Sequence, residues 1–213
     1  MTAPVGPTGL AQRCTGKHAD DAEPLPTHRF GLGAAGVQTV LLIGPDRLRV
    51  EQLAFTAQLQ VHFGTKRTLS VGAGALLGGT LFSDSAQYHL GPGGTASVSY
   101  SQLLVEPKGA VPFVMLSGSL AMTHAPTRLG TWFAADVRAG VAVGWLLFDR
   151  FTPYATTRVF GGPVFWRGQT GTDQFHFQLG AGFVLGLPGG FDAVVECVPL
   201  GEQALSAGIG YSF

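Results

Sequence analysis

Apolar residues alternate with small or polar residues, with a period of two, along most of the chain from His28 onward. This is the period of a β-strand, whose side chains point to opposite faces in turn. Residues 52–63, QLAFTAQLQVHF, carry leucine, phenylalanine, alanine and valine on one face and threonine, glutamine and histidine on the other. Several such segments run for 12 residues or more, whereas strands of globular proteins usually have about 5 to 6. The alternation predicts an all-β chain.

Ten strands are predicted, joined by hairpins into an up-and-down antiparallel meander, with eight strands as the alternative count. They cover about residues 29–42, 52–63, 67–81, 95–106, 111–123, 131–147, 154–166, 174–187, 191–199 and 204–213. In the first strand, Phe30 and Leu32 lie on one face while Val37 and Leu41 lie on the other, which predicts a β-bulge. The longest connections, residues 83–94 and 167–173 among them, follow odd-numbered strands. An even number of strands then places both termini and the short turns at one end of a closed barrel.

The second face of these strands is too poor in charge to be a solvated exterior. Charged residues make up 12% of the chain, about half the usual share, and the 32 glycines fall largely within the strands. A barrel that turns its apolar face to lipid and its small and polar face inward accounts for both faces. The fold predicted is therefore a transmembrane up-and-down antiparallel β-barrel. Its aromatic girdles at the lipid interfaces are expected at Phe63, Tyr100, Phe133, Trp145, Phe165 and Phe175.

Residues 1–27 are rich in proline, glycine and aspartate and are expected to form a disordered N-terminal tail, with the barrel spanning residues 28–213. The tail contains no apolar stretch of the kind that a signal peptide needs, so either the protein is not exported or its export signal has been removed, and the second is expected here. The sequence has no run of 18 apolar residues, so a transmembrane helix is not predicted. The formal net charge is zero, which disfavours nucleic acid as a partner.

The chain closes with ALSAGIGYSF, in which Leu205, Ala207, Ile209, Tyr211 and Phe213 alternate with small residues up to the last position. This stretch resembles the C-terminal recognition signal of bacterial outer-membrane β-barrel proteins. The resemblance implies that Ile209, Tyr211 and Phe213 form an assembly signal read by the barrel-assembly machinery. It also implies a location in the bacterial outer membrane, with outer-membrane lipid and other envelope proteins as further partners.

Side chains of alternate residues in a strand share one face, so the parity of a residue's number within its predicted strand indicates whether the side chain faces inward. By this parity, six charged or titratable side chains face into the barrel, namely Asp136, Arg138, Arg158, His176, Asp192 and Glu196. Because buried charges must find partners, these residues are expected to form ion pairs that plug a narrow lumen. Glu196 is expected to pair with Arg138 or Arg158. A catalytic or transport role for the same polar cluster is the alternative.

Sites for metals, cofactors or covalent catalysis are not predicted. The six histidines lack metal-ligand spacing, and GLGAAG at residues 31–36 begins a strand instead of following one, unlike a dinucleotide-binding fingerprint. The serines lack the context of a nucleophile elbow, so the protein is expected not to be an enzyme. Cys14 in the tail and Cys197 on the lipid face are too differently placed to predict a disulfide.

Three functions remain open. The first is a small outer-membrane barrel with a structural, anchoring or narrow-pore role in the cell envelope. The second is an outer-membrane barrel enzyme acting on lipid or peptide. The third is a soluble calycin-like β-barrel that binds a small apolar ligand, although its apolar exterior would then be unusually large for a protein in water.

Overall fold

The computed structural model describes residues 27–83, 86–108 and 111–213 and contains one antiparallel sheet of thirteen strands. The strands are β1 His28–Ile43, β2 Asp46–Phe63, β3 Arg67–Phe82, β4 Gln87–Leu90, β5 Gly93–Val105, β6 Phe113–Thr127, β7 Gly130–Gly144, β8 Phe151–Gly161, β9 Pro163–Trp166, β10 Gln169–Asp173, β11 Phe177–Gly186, β12 Phe191–Leu200 and β13 Gln203–Ser212. A short 3₁₀ turn, Pro188–Gly190, joins β11 to β12. Nowhere in these residues is there a helix with the length and apolarity needed to cross a membrane. The all-β prediction is confirmed. The predicted tail, including Cys14, lies outside the described residues apart from Thr27.

The sheet closes into an up-and-down barrel of ten strands at the end where His28 and Phe213 meet, which we call the terminal end. The order around this ring is β1, β2, β3, β5, β6, β7, β8, β11, β12 and β13. The last strand closes the ring by pairing with the first, from Arg29 opposite Ser212 to Gln38 opposite Gln203. The prediction of a ten-stranded up-and-down barrel is therefore confirmed.

At the opposite end the ring has only eight strands. The hairpin of β12 and β13 ends at the level of Gln38, and above it β10 reaches across to pair with β1 at Leu41–Ile43. The order there is β1, β2, β3, β4, β6, β7, β9 and β10. We call this end the crown and define it as residues 39–50, 79–83, 86–90, 123–134 and 163–173. Much of the sequence predicted as long loops, residues 83–94 and 167–173, is thus strand β4 and strand β10.

The outward face changes character where the crown begins. On β2 the outward residues are Arg47, Arg49 and Glu51 in and next to the crown, followed by an apolar series from Leu53 to Phe63. At about 3.3 Å per residue and a tilt of about 40°, this series makes a band about 25 Å tall. That height matches the apolar band of transmembrane barrels. The six predicted girdle aromatics all have exposed side chains in the outer wall.

The inward face of the crown is apolar, the reverse of the barrel below it. One buried cluster in the crown and directly below it, the crown cluster, consists of Leu41, Ile43, Leu48, Val50, Ala54, Leu76, Leu81, Leu90, Ala125, Trp132, Ala134, Val164 and Trp166. Trp132 and Leu41 are fully buried. A second, smaller apolar cluster around Phe113, Met115 and Tyr154 lies toward the terminal end. Side chains therefore fill the lumen at the crown end.

The predicted bulge in the first strand is wrong. The pairing of β1 with β2 continues without a shift from His28 to Ile43. Val37 and Leu41 face inward because they belong to the apolar interior near and within the crown, whereas Phe30 and Leu32 face outward along the band. The irregularity lies instead in β3, where Leu53 pairs with Gly78 and Ala54 with Leu76.

The bulge in β3 explains why one strand changes its inward parity. Leu77 is the extra residue, and Gly78 has a φ of +117°, a conformation that side chains other than glycine rarely adopt. Below the bulge even-numbered residues such as Leu76 face inward, and above it Leu81 does. An uninterrupted alternation along residues 67–81 would place Leu81 on the outer face with Leu69 and Val71, but the bulge makes it a fully buried member of the crown cluster.

Candidate functional site: the charged interior

Charged side chains face the lumen chiefly from β7, β8 and β12. The buried charged groups are Arg29, Asp136, Arg138, Arg158, Asp173, Asp192, Glu196 and Glu202. They comprise five carboxylates and three guanidinium groups. Each is on an inward position of its strand or, for Glu202, on the turn between β12 and β13. We call this set the interior network.

Arg158 and Glu196 form the central ion pair of the network. The two terminal guanidinium nitrogens of Arg158 donate to the two carboxylate oxygens of Glu196 at 2.7 and 2.8 Å. The Tyr154 hydroxyl donates to the same carboxylate at 2.9 Å. Such bidentate, charge-assisted geometry is the strongest form of a protein hydrogen bond. Of the two partners that the sequence allowed for Glu196, the structure selects Arg158.

Arg138 forms the next layer toward the crown. Its Nε donates to Asp136 at 2.7 Å, and one of its terminal nitrogens donates to Glu202 Oε1 at 2.7 Å. Gln178 Nε2 donates to the same Glu202 oxygen at 3.0 Å. The guanidinium carbon lies 5.3 Å from the centre of the Phe160 ring, within the range of a cation–π contact. One arginine therefore serves two carboxylates.

Two further carboxylates lie at the lower and upper limits of the network. Near the terminal end, Arg29 Nε donates to Asp192 at 2.7 Å, which joins β1 to β12 across the closing strand. At the base of the crown, Thr39 donates to Asp173 through a long hydrogen bond of 3.5 Å. The network thus extends from the terminal end to the crown.

Five of the six predicted lumen residues, Asp136, Arg138, Arg158, Asp192 and Glu196, are brought into this network. His176 is not. It lies between β10 and β11, is exposed, and its Nδ1 is 3.2 Å from the Phe160 carbonyl oxygen. The prediction that His176 faces inward assumed one continuous strand over residues 174–187. In the structure β10 ends at Asp173 and β11 begins at Phe177, so the alternation does not extend to His176.

Glu202 is the network residue that the sequence reasoning missed. It lies between the predicted strands 191–199 and 204–213, in a connection where side chains are usually solvated, yet it is fully buried. The signal that could have identified it is parity, because Ala204, Ser206 and Gly208 also face inward. Gly201, with a φ of +86°, allows the turn that brings Glu202 inside.

The opposite wall of the lumen carries small neutral groups. Thr56, Gln58, Ser97, Ser99, Ser117 and Ser119 point inward from β2, β5 and β6. They are half-buried, although their strand positions face the interior. The space beside the network is therefore polar and accessible, unlike the closed crown.

The closing strand places the predicted assembly signal on the outer wall. Ile209, Tyr211 and Phe213 all face outward and are exposed. Phe213 stacks on His28 with ring centres 5.9 Å apart, and their backbones exchange hydrogen bonds of 3.1 and 2.9 Å. The aromatic end of the chain thus lies at the seam between the first and last strands.

The charged groups of the interior do not resemble a metal centre. In residues 27–83, 86–108 and 111–213, no three histidine, cysteine, aspartate or glutamate side chains converge in a way that could hold a metal ion. Cys197 is exposed on the outer wall and is a free thiol. Apart from Asp173, which accepts a hydrogen bond from Thr39, the carboxylates of the network bind its guanidinium groups.

No family model matches the sequence, and no curated protein is similar to it in sequence. In structure, it is similar to the translocator domain of the autotransporter NalP from Neisseria meningitidis, with 15% identity, a TM-score of 0.51, and 97% of this chain and 95% of that chain covered. It is also similar to an outer membrane channel from Pseudomonas putida F1, with 8% identity, a TM-score of 0.53, and 92% and 99% covered. At these identities the likeness concerns the fold. The chain has the fold of the bacterial outer-membrane β-barrels.

Proposed function

We propose that the protein is a closed barrel of the bacterial outer membrane with a structural or anchoring role in the cell envelope. The observation that carries this proposal is the crown cluster, in which Leu41, Leu48 and Trp132 are fully or almost fully buried inside an eight-stranded ring. An eight-stranded barrel has an interior just wide enough for side chains to fill. A channel for substrates would need to pass through this cluster.

The interior network supports a stabilising role below the crown. Its arginines and carboxylates bind one another, and the network side chains that form ion pairs are all nearly inaccessible. A catalytic group must instead reach a substrate. We therefore propose that the barrel is not an enzyme.

The outer wall supports the proposed location. An apolar band about 25 Å tall suits a bilayer core, and the charged outward residues of β2 begin where this band ends. We propose outer-membrane lipid as the partner of the band, and the barrel-assembly machinery as the partner of Ile209, Tyr211 and Phe213. The proposal for the machinery rests on the resemblance of the closing stretch to an assembly signal.

Conductance in planar lipid bilayers tests the closed lumen. We expect the purified wild-type barrel to give no large, stable conductance steps. The double variant Leu48→Ala/Trp132→Ala removes two central side chains of the crown cluster and should produce steps. Phe133→Ala, next to Trp132 but on the outer wall, is the matched control and should stay closed. Large stable steps in the wild type would overturn the proposal, and small flickering steps would favour a narrow pore.

A further inference from the structure

A groove of about 690 Å³ crosses the outer wall of the barrel at the crown edge of the apolar band. Five neighbouring strands line it, in the order β12, β13, β1, β2 and β3. The groove opens outward, because its lining includes the exposed side chains of Leu53, Cys197 and Leu205, which belong to the outer wall. Its volume is within the range of pockets that hold a small molecule. We call it the edge groove.

The side of the edge groove that adjoins the band is apolar and contains a notch. Strand register aligns one row of outward residues there, namely Cys197, Leu205, Gly36, Leu53 and Gly78. Leu205 and Leu53, which are 61% and 43% exposed, stand on either side of Gly36. A Cβ atom added to Gly36 would meet no atom within 4 Å. The notch between the two leucines is therefore open space above bare backbone.

The side of the edge groove that adjoins the crown is polar. The next row of outward residues consists of Gln203, Gln38, Glu51 and Thr80. Arg49 lies directly above this row, with its Nε 3.4 Å from Glu51 Oε1 and its guanidinium carbon 4.5 Å from the centre of the Phe82 ring. Both charged side chains of this pair are nearly half exposed. The rim of the groove therefore presents one cation and one carboxylate side by side.

We propose that the edge groove binds one phospholipid with a phosphoethanolamine head, whose acyl chain fills the notch at Gly36. The inference rests on the membrane location proposed above and names one lipid partner of the band. The groove continues the apolar band, so a chain in the notch stays within the hydrocarbon layer. The lipid head then lies at the level where the charged outward residues of β2 begin.

The charges at the rim fit this head group. A guanidinium group matches the geometry of a phosphate and can bind it through two hydrogen bonds, so Arg49 is placed to hold the phosphate. The neighbouring Glu51 carboxylate is placed to receive the ammonium group. The glutamine and threonine side chains of the same row supply further hydrogen bonds to the oxygen atoms of the head.

Native mass spectrometry of the full chain, released from detergent micelles, tests the site with added dioleoyl phosphatidylethanolamine. We expect the wild-type barrel to retain one lipid molecule. Gly36→Leu fills the notch and should weaken retention at least tenfold, while the melting temperature stays unchanged because the new side chain enters open space. Gly118→Leu is the matched control. Gly118 lies on the outward face of β6, away from the groove, where an added Cβ atom would meet only the Arg138 carbonyl oxygen at 3.8 Å, so this variant should retain the lipid.

Two further comparisons test the head group. Arg49→Gln should weaken retention about tenfold, which corresponds to about 1.4 kcal/mol, whereas Arg128→Gln, in an exposed turn of the crown, should leave it unchanged. Dioleoyl phosphatidylglycerol has the same chains and a phosphate but no ammonium group, so it should bind less tightly than the ethanolamine lipid. Equal retention of the two lipids would overturn the assignment of the head group.

Three outcomes would overturn the site as a whole. These are a wild-type barrel without bound lipid, equal retention by wild type and Gly36→Leu, and a wild-type dimer that Gly36→Leu dissociates, since a second copy would then fill the groove. The membrane location has a separate test, because a barrel that stays monodisperse without detergent would contradict that location itself. Bilayer conductance remains an independent test of the closed crown.

Discussion

Removal of the central carboxylate, Glu196→Ala, should destabilise the barrel strongly. The substitution leaves the Arg158 guanidinium buried, with a side-chain exposure of 9%, and deprives it of both its bonds to Glu196. It also deprives the Tyr154 hydroxyl of its acceptor. Breaking a buried ion pair by removing one partner costs about 3–5 kcal/mol. Lumen water that reached Arg158 would reduce this cost.

The expected cost can be measured as a loss of unfolding free energy in urea, with the barrel held in detergent micelles, or as a lower melting temperature. A change of 1 kcal/mol shifts the midpoint of a chain of this size by about 2–4 °C, so we expect a shift of about 10 °C. Folded and unfolded barrel can be separated by their different migration on gels without boiling. The matched control is Glu51→Ala, which breaks a pair with Arg49 at 3.4 Å on the outer wall, where both side chains are nearly half exposed.

Exposed pairs are screened by solvent and contribute about 0–1 kcal/mol, so Glu51→Ala should lower the midpoint far less than Glu196→Ala. The double variant Arg158→Met/Glu196→Leu removes both charges and should recover most of the lost stability, because an apolar pair can replace a buried ion pair with little cost. An unchanged midpoint in Glu196→Ala, or a double variant less stable than the single one, would refute the argument that the pair is desolvated.

Three further predictions concern the wall of the barrel. Leu59→Arg, in the middle of the apolar band, should cost about 2–4 kcal/mol in lipid, whereas Leu53→Arg at its edge should cost about 0–1 kcal/mol; equal costs in urea unfolding from vesicles would contradict the position of the band. Gly201→Ala should destabilise the β12–β13 turn, because its φ is +86° and an added Cβ would clash with the Phe177 carbonyl oxygen; an unchanged melting temperature would exclude this strain. Replacement of Phe213 by aspartate should reduce the amount of folded barrel in membranes while leaving export intact, and equal amounts would count against the assembly signal.

The sequence predicted the membrane-facing part of the barrel because one physical rule holds throughout it. Along β13, apolar residues face lipid at odd positions and small residues face the lumen at even ones, and the strand follows this alternation from Leu205 to Phe213. The same rule placed Asp136, Arg138, Arg158 and Glu196 inside. Where the environment on each face stays constant along a strand, parity alone determines the direction of a side chain.

The rule failed where the environment changes. In and near the crown the interior is apolar, so the inward-facing Val37 and Leu41 are apolar like the outward-facing residues of the band. This change of pattern predicted a bulge, although the strand is regular. The real bulge in β3 depends on one glycine among many and could not be distinguished from the others by composition. His176 was misplaced because a strand break interrupted the parity, and Glu202 was missed because a turn can carry an inward side chain.

Strand β1 pairs with two different strands on the same side, and this restricts how the ring can close. On one side, β1 pairs with β13 along its lower part and with β10 at Leu41–Ile43. A slip of β1 by two residues along β13 would preserve the alternation of faces, which is the usual way in which a barrel changes its shear. The same slip would also shift β1 by two residues against β10, which pairs with β9 and not with β13. The pairings of β1 with β13 and with β10 must therefore change together, so a slip along one of them alone is incompatible with the closed ring.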